Sequence, residues 1–124
     1  MLGRITVRGI RFHAFHGLTK LERQIGVRHR VDVTVRADVS RAAETDRIED
    51  TVDYRRIHDI VVHVGRENSF YLIETLAMRI AREILEQFDC EAVEVAVHKE
   101  TPVLDGMVDS VGVEFELTRE QLPR

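Results

Sequence analysis

The sequence of 124 residues predicts an α+β domain in which a four-stranded antiparallel sheet carries two helices on one face, in the order ββααββ. Residues 28–40 alternate between apolar and polar side chains, which is typical of a half-exposed strand. Residues 72–88 repeat apolar side chains at helical spacing and form one broad stripe. Shorter alternating segments lie on both sides of the helical region, so strands are expected to flank the helices.

The first two strands are predicted from their alternation. Strand one contains Ile5, Val7, Ile10 and Phe12, with a kink or bulge at Gly9, where the alternation is interrupted. A turn over 13–17 follows, and the polar stretch 19–26 is expected to be a loop. Strand two spans 28–40 and has its apolar positions on one face, namely Val31, Val33, Val35, Ala37 and Val39.

Two helices are predicted between the strand pairs, after a charged connection over residues 41–52. Asp53 is a suitable N-cap, because its carboxylate can accept amide hydrogens of the first turn. Gly65 and Asn68 are expected to end this helix. The apolar positions are Ile57, Ile60, Val61 and Val64 in the first helix and Leu72, Ile73, Leu76, Ala77, Ile80, Ala81, Ile84, Leu85 and Phe88 in the second.

The last two strands are separated by a loop that contains Pro102 and Gly106. Strand three is predicted around Val93, Val95 and Val97, and strand four around Val108, Val111, Val113, Phe115 and Leu117. Four strands alone leave two exposed sheet edges, which proteins commonly pair or cover. We therefore expect the chain to form a closed homo-oligomer.

Composition indicates a single domain covering residues 1–124. The net charge of −4 argues against nucleic acid or an anionic membrane as the main partner. The single cysteine, Cys90, cannot form an internal disulfide. No apolar segment has the length of a membrane span or the pattern of a signal peptide. We expect a cytoplasmic protein.

Lys99 is the candidate functional residue that the sequence alone singles out. It lies where a strand gives way to a loop, and such positions are where a rigid scaffold displays reactive groups. A lysine held there and balanced by carboxylates can act as an acid or base, or can bind an anion. The residue alone leaves open the alternative of a solvated loop lysine.

Five separated motifs extend the functional interpretation to most of the chain. The motifs are Arg-Phe-His-Ala-Phe-His-Gly (11–17), Leu-Glu-Arg (21–23), Asp-Thr-Val-Asp-Tyr (50–54), Leu-Ile-Glu-Thr-Leu-Ala (72–77) and Val-His-Lys-Glu-Thr-Pro (97–102). In order and spacing they resemble the dihydroneopterin aldolase family, whose tunnelling fold joins ββααββ subunits into an oligomeric β-barrel. The resemblance implies a tetramer or an octamer with active sites between subunits.

The resemblance implies a reaction of folate biosynthesis. In it, 7,8-dihydroneopterin undergoes retro-aldol cleavage to 6-hydroxymethyl-7,8-dihydropterin and glycolaldehyde. No cofactor and no metal are implied, because the C6=N5 imine of the substrate accepts the electrons that other aldolases pass to a Schiff base or to zinc. The pterin is the implied small-molecule partner.

The resemblance also implies a role for each site residue. Lys99 resembles the general acid/base, and Tyr54 resembles the tyrosine that a neighbouring subunit contributes. Glu74 resembles the carboxylate that anchors the pterin, and Glu22 the acid that helps to position the substrate and Lys99. Backbone groups of two further residues would complete recognition of the pterin edge, namely Val52 and Ile73.

Other interpretations of these residues remain open. Glu74 could serve only the start of its helix, Tyr54 could be an ordinary helix residue, and Glu22 an ordinary loop carboxylate. His13, His16 and His29 suggest a zinc site like that of the pyruvoyl-tetrahydropterin synthases. That family, however, has a His-x-His pair on strand two, where this sequence has His29-Arg30-Val31.

Alternative activities are also open. The related dihydroneopterin triphosphate 2′-epimerase shares the retro-aldol step, some aldolases act as oxygenases, and a silent pterin-binding oligomer would need Glu74 but not Lys99. The loop after Lys99 departs from the family pattern at Val103 and Asp105, where prolines are common, and it lacks an aromatic residue near Met107. These departures bear on selectivity more than on the chemistry.

Overall fold

A computed structural model of the chain, which describes residues 1–102 and 106–122, contains one four-stranded antiparallel sheet in the order β1-β2-β3-β4. The strands are β1 (Leu2–Ala14), β2 (Val27–Asp38), β3 (Ala92–Glu100) and β4 (Ser110–Thr118). The helices are α1 (Lys20–Ile25), α2 (Ser40–Thr45), α3 (Tyr54–Glu67) and α4 (Ile73–Gln87), and 3₁₀ turns cover Ile48–Asp50 and Arg119–Gln121. The order of the four strands and the two long helices confirms the predicted ββααββ arrangement.

A bulge interrupts the pairing of β1 with β2. The register shifts between Val7 and Ile10, and Gly9 inside the bulge has a φ of 72°, which side-chain-bearing residues rarely adopt. The Gly9 N–H donates a hydrogen bond of 2.7 Å to the Asp32 carboxylate on β2. The kink predicted at Gly9 is confirmed, and it restores the alternation that places Ile10 and Phe12 in the core.

The core lies between the sheet and the two long helices. The predicted stripe of α4 is buried at Leu76, Ala77, Ile80, Ala81, Ile84 and Leu85, and β2 buries Val31, Val33, Val35 and Ala37. Asp53 caps α3 as predicted, since its side chain accepts the Arg55 N–H at 3.0 Å. The apolar pattern therefore decides which face of each long element is buried.

Two segments that were predicted to be irregular contain helices. Residues 19–26, predicted as a loop, hold α1, because Thr19 and Glu22 form a capping box that satisfies the first amides of the helix. The predicted charged connection over 41–52 holds α2 and a 3₁₀ turn. Val39, predicted on strand two, is the N-cap residue of α2.

Gly65 and Val108 are not where the sequence predicts them. Of the two residues expected to end α3, Asn68 is confirmed, because the helix continues to Glu67 and has Asn68 as its C-cap, whereas Gly65 lies inside the helix. Gly65 is there for close packing, because a Cβ at this position would lie 2.3 Å from the Phe12 ring. Val108 lies before β4, which begins at Ser110. The loop departures at Val103 and Asp105 lie outside the described residues.

The two ends of the sheet hold different elements. At one end, which we call the Lys99 end, Lys99 on β3 pairs with His29 on β2. At the opposite end, the Arg119 end, Ala92 pairs with Arg36 and Thr118. Lys99 lies seven positions after Ala92 on β3, which corresponds to about 23 Å of strand.

Arg119 holds the C-terminal end of α4 against the sheet. Its guanidinium donates hydrogen bonds to the backbone carbonyls of Cys90, Leu85 and Phe88 at 2.8, 2.7 and 2.8 Å. The last carbonyls of a helix have no partner within the helix, so side chains often satisfy them. Arg119 thereby fixes the connection from α4 to β3.

Both edge strands are open in the single chain, since β1 and β4 each pair on one side only. The apolar residues of β4 are incompletely covered: Leu117 is buried, Val113 and Phe115 are partly buried, and Val111 is exposed. An open edge with partly covered apolar side chains favours pairing with another strand. In the part of the chain that the structure describes, no helix is both long and apolar enough to cross a membrane.

Candidate active site

An ion pair between Lys99 and Glu22 forms the centre of the Lys99 end. The Lys99 Nζ donates a hydrogen bond of 2.7 Å to Glu22 Oε2, and the two side chains are only 11% and 10% exposed. The alternation of β3 brings Lys99 to the same face as Val95 and Val97, which is the face that the helices cover. The structure therefore joins two predicted site residues that are 77 positions apart in the sequence.

The capping box of α1 presents the Glu22 carboxylate to Lys99. Glu22 Oε1 accepts a hydrogen bond of 3.0 Å from the Thr19 hydroxyl, while Oε2 is bound to Lys99. Burial alone would raise the pKa of Glu22, but the hydrogen bonds from Lys99 and Thr19 outweigh it and lower that pKa below its ordinary value. Glu22 is consequently a carboxylate at neutral pH, and it balances the Lys99 ammonium.

His16 is a fixed, neutral part of the surroundings. Its Nδ1 accepts the Phe70 N–H at 2.9 Å, so its Nε2 carries the proton and donates to the Gly65 carbonyl at 2.7 Å. Burial, with a smaller effect from the Lys99 charge, lowers the pKa of His16. Both ring nitrogens are thus bound to backbone groups, and His16 ties α3 and the segment before α4 to the end of β1.

His29 is also buried beside Lys99, but its two nitrogens differ. Nδ1 donates to the Val27 carbonyl at 2.9 Å, whereas Nε2 is buried and has no hydrogen-bond partner in the part of the chain described. The ring stacks on Phe12 and meets His16 edge to face, with centroids 5.9 and 5.2 Å apart. Burial is the main cause that lowers the pKa of His29 to about 4.

The zinc interpretation of the histidines receives no support from their positions. His13 lies apart from the other two and its Nε2 contacts the Ile25 carbonyl at 2.8 Å. Within residues 1–102 and 106–122, no group of three or more histidine, cysteine or acidic side chains is arranged to hold a metal ion. The sequence suggests only a metal-ligand role for His16 and His29, whereas the structure buries both rings and pairs His29 with Lys99 across the sheet.

Glu74 and Ile73 lie at the start of α4, on the Lys99 end. This placement follows from Phe70, three residues before α4, whose backbone N–H binds His16. The Glu74 side chain is exposed, and it makes no hydrogen bond or ion pair within the described residues. A carboxylate at this position is free to receive donors from outside the chain.

Val52 and Tyr54 lie at the Arg119 end instead. Val52 lines an open cavity of about 1010 Å³, together with Asp38 and Thr118. Tyr54 begins α3 and is 62% exposed, and Arg56 in the same turn stacks on Phe88 at 4.5 Å.

The two groups of predicted site residues are therefore separated within one chain. The contact of α3 with His16 comes at Gly65, eleven residues after Tyr54, which is about 16 Å along the helix. A single chain brings together Lys99 and Glu22, places Glu74 and Ile73 at the same end, and keeps Tyr54 and Val52 at the other.

The site has the properties that proton transfer requires. A lysine held in a buried ion pair, with a carboxylate partner on a separate element, can exchange protons with a bound molecule while its charge stays balanced.

The chain belongs to the dihydroneopterin aldolase family, whose sequence model matches residues 5–116. A dihydroneopterin aldolase of Streptococcus pyogenes serotype M18 is 34% identical over 119 residues, covering 95% of this chain and all of that protein. Among solved structures, E. coli dihydroneopterin aldolase in complex with neopterin has a TM-score of 0.87 at 23% identity, covering 93% of this chain and 98% of that one. A Burkholderia thailandensis dihydroneopterin aldolase bound to guanine has a TM-score of 0.79 at 23% identity, with coverages of 95% and 92%.

Proposed function

We propose that this protein cleaves 7,8-dihydroneopterin by a retro-aldol reaction to 6-hydroxymethyl-7,8-dihydropterin and glycolaldehyde, as a step of folate biosynthesis. The observation that carries the proposal is the buried pair of Lys99 and Glu22 in a chain of the aldolase family. The substrate's C6=N5 imine accepts the electrons of the broken carbon–carbon bond, so the protein has only to bind the pterin and move protons.

Lys99 is the proposed general acid/base. It acts near N5 and the side-chain hydroxyls of the substrate, through a water molecule, first as the carbinol loses its proton and then as the enamine-like intermediate gains one. Glu22 holds the ammonium and positions the substrate. The short contact of 2.7 Å supports this pairing, because a charge-assisted hydrogen bond fixes the place of Nζ.

Glu74 is the proposed anchor of the pterin. A pterin presents a 2-amino group and an N3–H side by side, and a carboxylate accepts two parallel donors of this kind well. The exposure of Glu74 without an internal partner supports the assignment, as do the neopterin and guanine held by two structurally similar proteins, since both ligands carry this donor edge. Backbone groups of Ile73 and Val52 complete the recognition.

Each site is proposed to form between two subunits of a homo-oligomer, a tetramer or an octamer in which sheets join into a barrel. Lys99, Glu22, Glu74 and Ile73 come from one chain, and Tyr54 and Val52 from its neighbour. The separation of these groups within the single chain supports sharing, and so do the open edges β1 and β4. Apolar side chains also lie exposed near the Lys99 end, where a neighbour would cover them: Leu18, Leu21, Ile25, Tyr71 and Leu72.

The proposal treats residues 1–124 as one domain that acts in the cytoplasm without a cofactor. A free, buried cysteine at position 90 is compatible with a reducing compartment. Product analysis tests the function: the protein is incubated with 7,8-dihydroneopterin, with and without a chelator, and the products are separated by chromatography. We expect glycolaldehyde and 6-hydroxymethyl-7,8-dihydropterin in equal amounts under both conditions.

The same assay separates the alternatives. A 2′-epimer of the substrate would indicate an epimerase, and 7,8-dihydroxanthopterin formed with uptake of oxygen would indicate an oxygenase. Binding without turnover would indicate a silent pterin-binding oligomer. Loss of cleavage with chelator would contradict the metal-free mechanism.

Mixed oligomers test the shared site. Lys99→Ala and Tyr54→Phe proteins, each impaired at every site, are unfolded, mixed in equal amounts and refolded together. About one quarter of the interfaces then combine an intact Lys99 with an intact Tyr54, because positions around a closed ring are equivalent. We expect activity well above that of either variant refolded alone, and an assembly larger than a dimer by light scattering.

The unmutated protein taken through the same refolding is the control for reassembly. If it recovers activity while the mixture shows only the average of the two variants, Tyr54 acts within its own subunit or is not needed. That result would contradict the shared-site proposal.

A further inference from the structure

A row of side chains crosses the sheet at the Lys99 end. Phe12 on β1 pairs with His29 on β2, and His29 pairs with Lys99 on β3. All three side chains lie on the buried face, toward the helices. Side chains that are directly opposite on neighbouring antiparallel strands have Cβ atoms about 4.5–5.5 Å apart. His29 is therefore the immediate neighbour of Lys99.

Lys99 has hydrogen-bond donors, and His29 an acceptor, that find no partner within the described residues. A lysine ammonium has three N–H donors, and Lys99 uses one of them on Glu22. His29 Nε2 is a buried acceptor without a donor within the described residues. Buried polar atoms in native proteins nearly always have a hydrogen-bond partner, so a donor is expected for His29 Nε2. Unused donors and an unused acceptor thus belong to two directly paired residues.

The charged and titratable groups around His29, taken together with its burial, leave its Nε2 unprotonated at neutral pH. These groups are Lys99 from β3, His16 from the segment after β1, and Glu22 from α1. Burial is the largest cause of the lowered pKa of about 4, and His16 and Lys99 lower it further, while the Val27 carbonyl and Glu22 raise it. The imidazole is thus neutral, with its proton on Nδ1 and a lone pair on Nε2.

We propose that His29 is a positioning residue for Lys99, and that its Nε2 lone pair accepts a hydrogen bond from the Lys99 ammonium through one water molecule, both in the free protein and while Glu22 engages the substrate. The ammonium then keeps a buried acceptor through the whole reaction instead of depending on Glu22 alone. His16 cannot take this role, because backbone groups occupy both of its ring nitrogens. The inference deepens the acid/base assignment of Lys99 and rests on it.

Two substitutions separate the acceptor from the shape of the ring. In His29→Asn the amide nitrogen replaces Nδ1 and can still donate to the Val27 carbonyl, but the acceptor at the Nε2 position is lost. In His29→Gln the amide oxygen replaces Nε2 as an acceptor. His98→Asn is the matched control, since His98 also has a buried nitrogen without a partner in the described part of the chain, but lies on the opposite face of the sheet.

The direct measurement is the side-chain NMR signal of Lys99 in the protein without substrate. The chain contains two lysines, so isotope-labelled lysine gives one signal for Lys99 and one for the exposed Lys20, an internal reference. Loss of a hydrogen-bond acceptor changes the ¹⁵N shift of an ammonium and speeds the exchange of its hydrogens with water. We expect the Lys99 signal to show both changes in His29→Asn, and to stay near its unmutated position in His29→Gln and His98→Asn.

Kinetics give the second measurement. We expect His29→Asn to lower kcat about tenfold with little change in KM, and we expect His29→Gln to recover most of the loss. An unchanged NMR signal of Lys99 in His29→Asn would overturn the proposal, even if kcat fell. If the unmutated protein cleaves no dihydroneopterin, the aldolase proposal fails, while the NMR comparison still decides the contact.

If the His29 variants do not fold, the unmutated protein and Lys99→Met provide the test. A hydrogen bond to an unprotonated ring nitrogen shifts its ¹⁵N signal upfield, so the His29 Nε2 signal should move downfield when the ammonium is removed. The same Nε2 shift in both proteins would overturn the proposal.

Discussion

The two ends of the sheet each hold a cation, and the two cations are bonded in opposite ways. Arg119 is largely exposed, yet its guanidinium donates to three backbone carbonyls at the end of α4. Lys99 is buried, yet its ammonium makes one hydrogen bond within the described residues, to a carboxylate. Arginine keeps its proton at any physiological pH, whereas lysine can release one. Burial alone therefore does not predict how many partners a cation has, because the exposed Arg119 has more hydrogen bonds than the buried Lys99.

The largest expected effect lies at the Lys99 end. Lys99→Ala should lower kcat by roughly 10²–10⁴-fold and disturb pterin binding much less, because the lost group moves protons in the chemical step. Steady-state kinetics with 7,8-dihydroneopterin and equilibrium titration with a product analogue measure the two effects. Arg119→Ala, assayed at a temperature at which it is folded, is the control and should keep its kcat. A Lys99→Ala protein with near-normal kcat would contradict the proposed acid/base role of Lys99.

Stability should depend on pH through the Lys99 end. The pKa of His29 is about 4 in the folded chain and ordinarily 6.5, so between these values the unfolded chain takes up a proton that the folded chain does not. Above pH 6.5 the titration of His29 therefore leaves the free energy of unfolding unchanged. As the pH falls toward 4, protonation of the unfolded chain lowers it by about 3 kcal/mol.

Urea unfolding of the unmutated protein and His29→Phe at pH 7 and pH 4 measures this contribution. Phenylalanine can stack on Phe12 but does not titrate, so the difference in unfolding free energy between the two pH values should be smaller in the variant. Glu22 loses its depressed-pKa contribution only near and below its ordinary pKa of 4.5, and it is present in both proteins. Equal pH dependence in both proteins would show that His29 is not held neutral.

Pterin affinity should also depend on the Lys99 end. Glu74→Ala leaves two pterin donors without a charged acceptor, and the binding free energy should weaken by roughly 2–3 kcal/mol. Titration with a pterin product analogue measures it, and Glu74→Gln should recover part of the loss because one oxygen remains. Unchanged affinity in Glu74→Ala would leave Glu74 with a role at the helix start only.

The smallest expected effect lies at the Arg119 end and concerns stability alone. Arg119→Ala should lower the unfolding free energy by about 1–2 kcal/mol, because three carbonyls at the end of α4 lose a charged donor. Arg47→Ala is the matched control, since Arg47 forms only an exposed ion pair with Glu49, and such pairs contribute about 0–1 kcal/mol. Equal losses in both variants by chemical denaturation would indicate that water replaces the guanidinium at the helix end.

The sequence was sufficient to predict the elements whose burial is periodic. It was not sufficient for a short helix with weak periodicity or for a contact between distant residues. The stripes of α4 and β2 decide which face is buried, and both predictions are confirmed within these elements, whereas Leu72 and Val39 at the ends of the predicted stripes lie outside them. The helix α1 was missed although Thr19-x-x-Glu22 is a capping-box pattern, because the apolar periodicity of this short polar segment is weak. Gly65 was predicted as a helix end from its type alone, whereas the proximity of Phe12 is a tertiary contact that no local pattern contains.

The candidate site shows the same limit. Lys99 could be singled out from its place at a strand end, but its pairing with Glu22 joins positions 77 apart and depends on how α1 is placed over the sheet. His16 and His29 are ordinary members of buried segments, and only their hydrogen bonds distinguish a fixed ring from one with a free nitrogen. The distance of Tyr54 from Lys99 could not be predicted from the sequence, because it depends on how α3 packs on the sheet.

The contact of Gly65 with Phe12 has a consequence for protein engineering. Replacing glycine by alanine inside helices is a common way to raise thermal stability, worth about 0.4–1 kcal/mol where the site tolerates it. Here the added methyl group would displace the Phe12 ring, which stacks on His29, the neighbour of Lys99. A design protocol that scores helices one at a time would select this substitution, and it would disturb the packing beside His29 and Lys99.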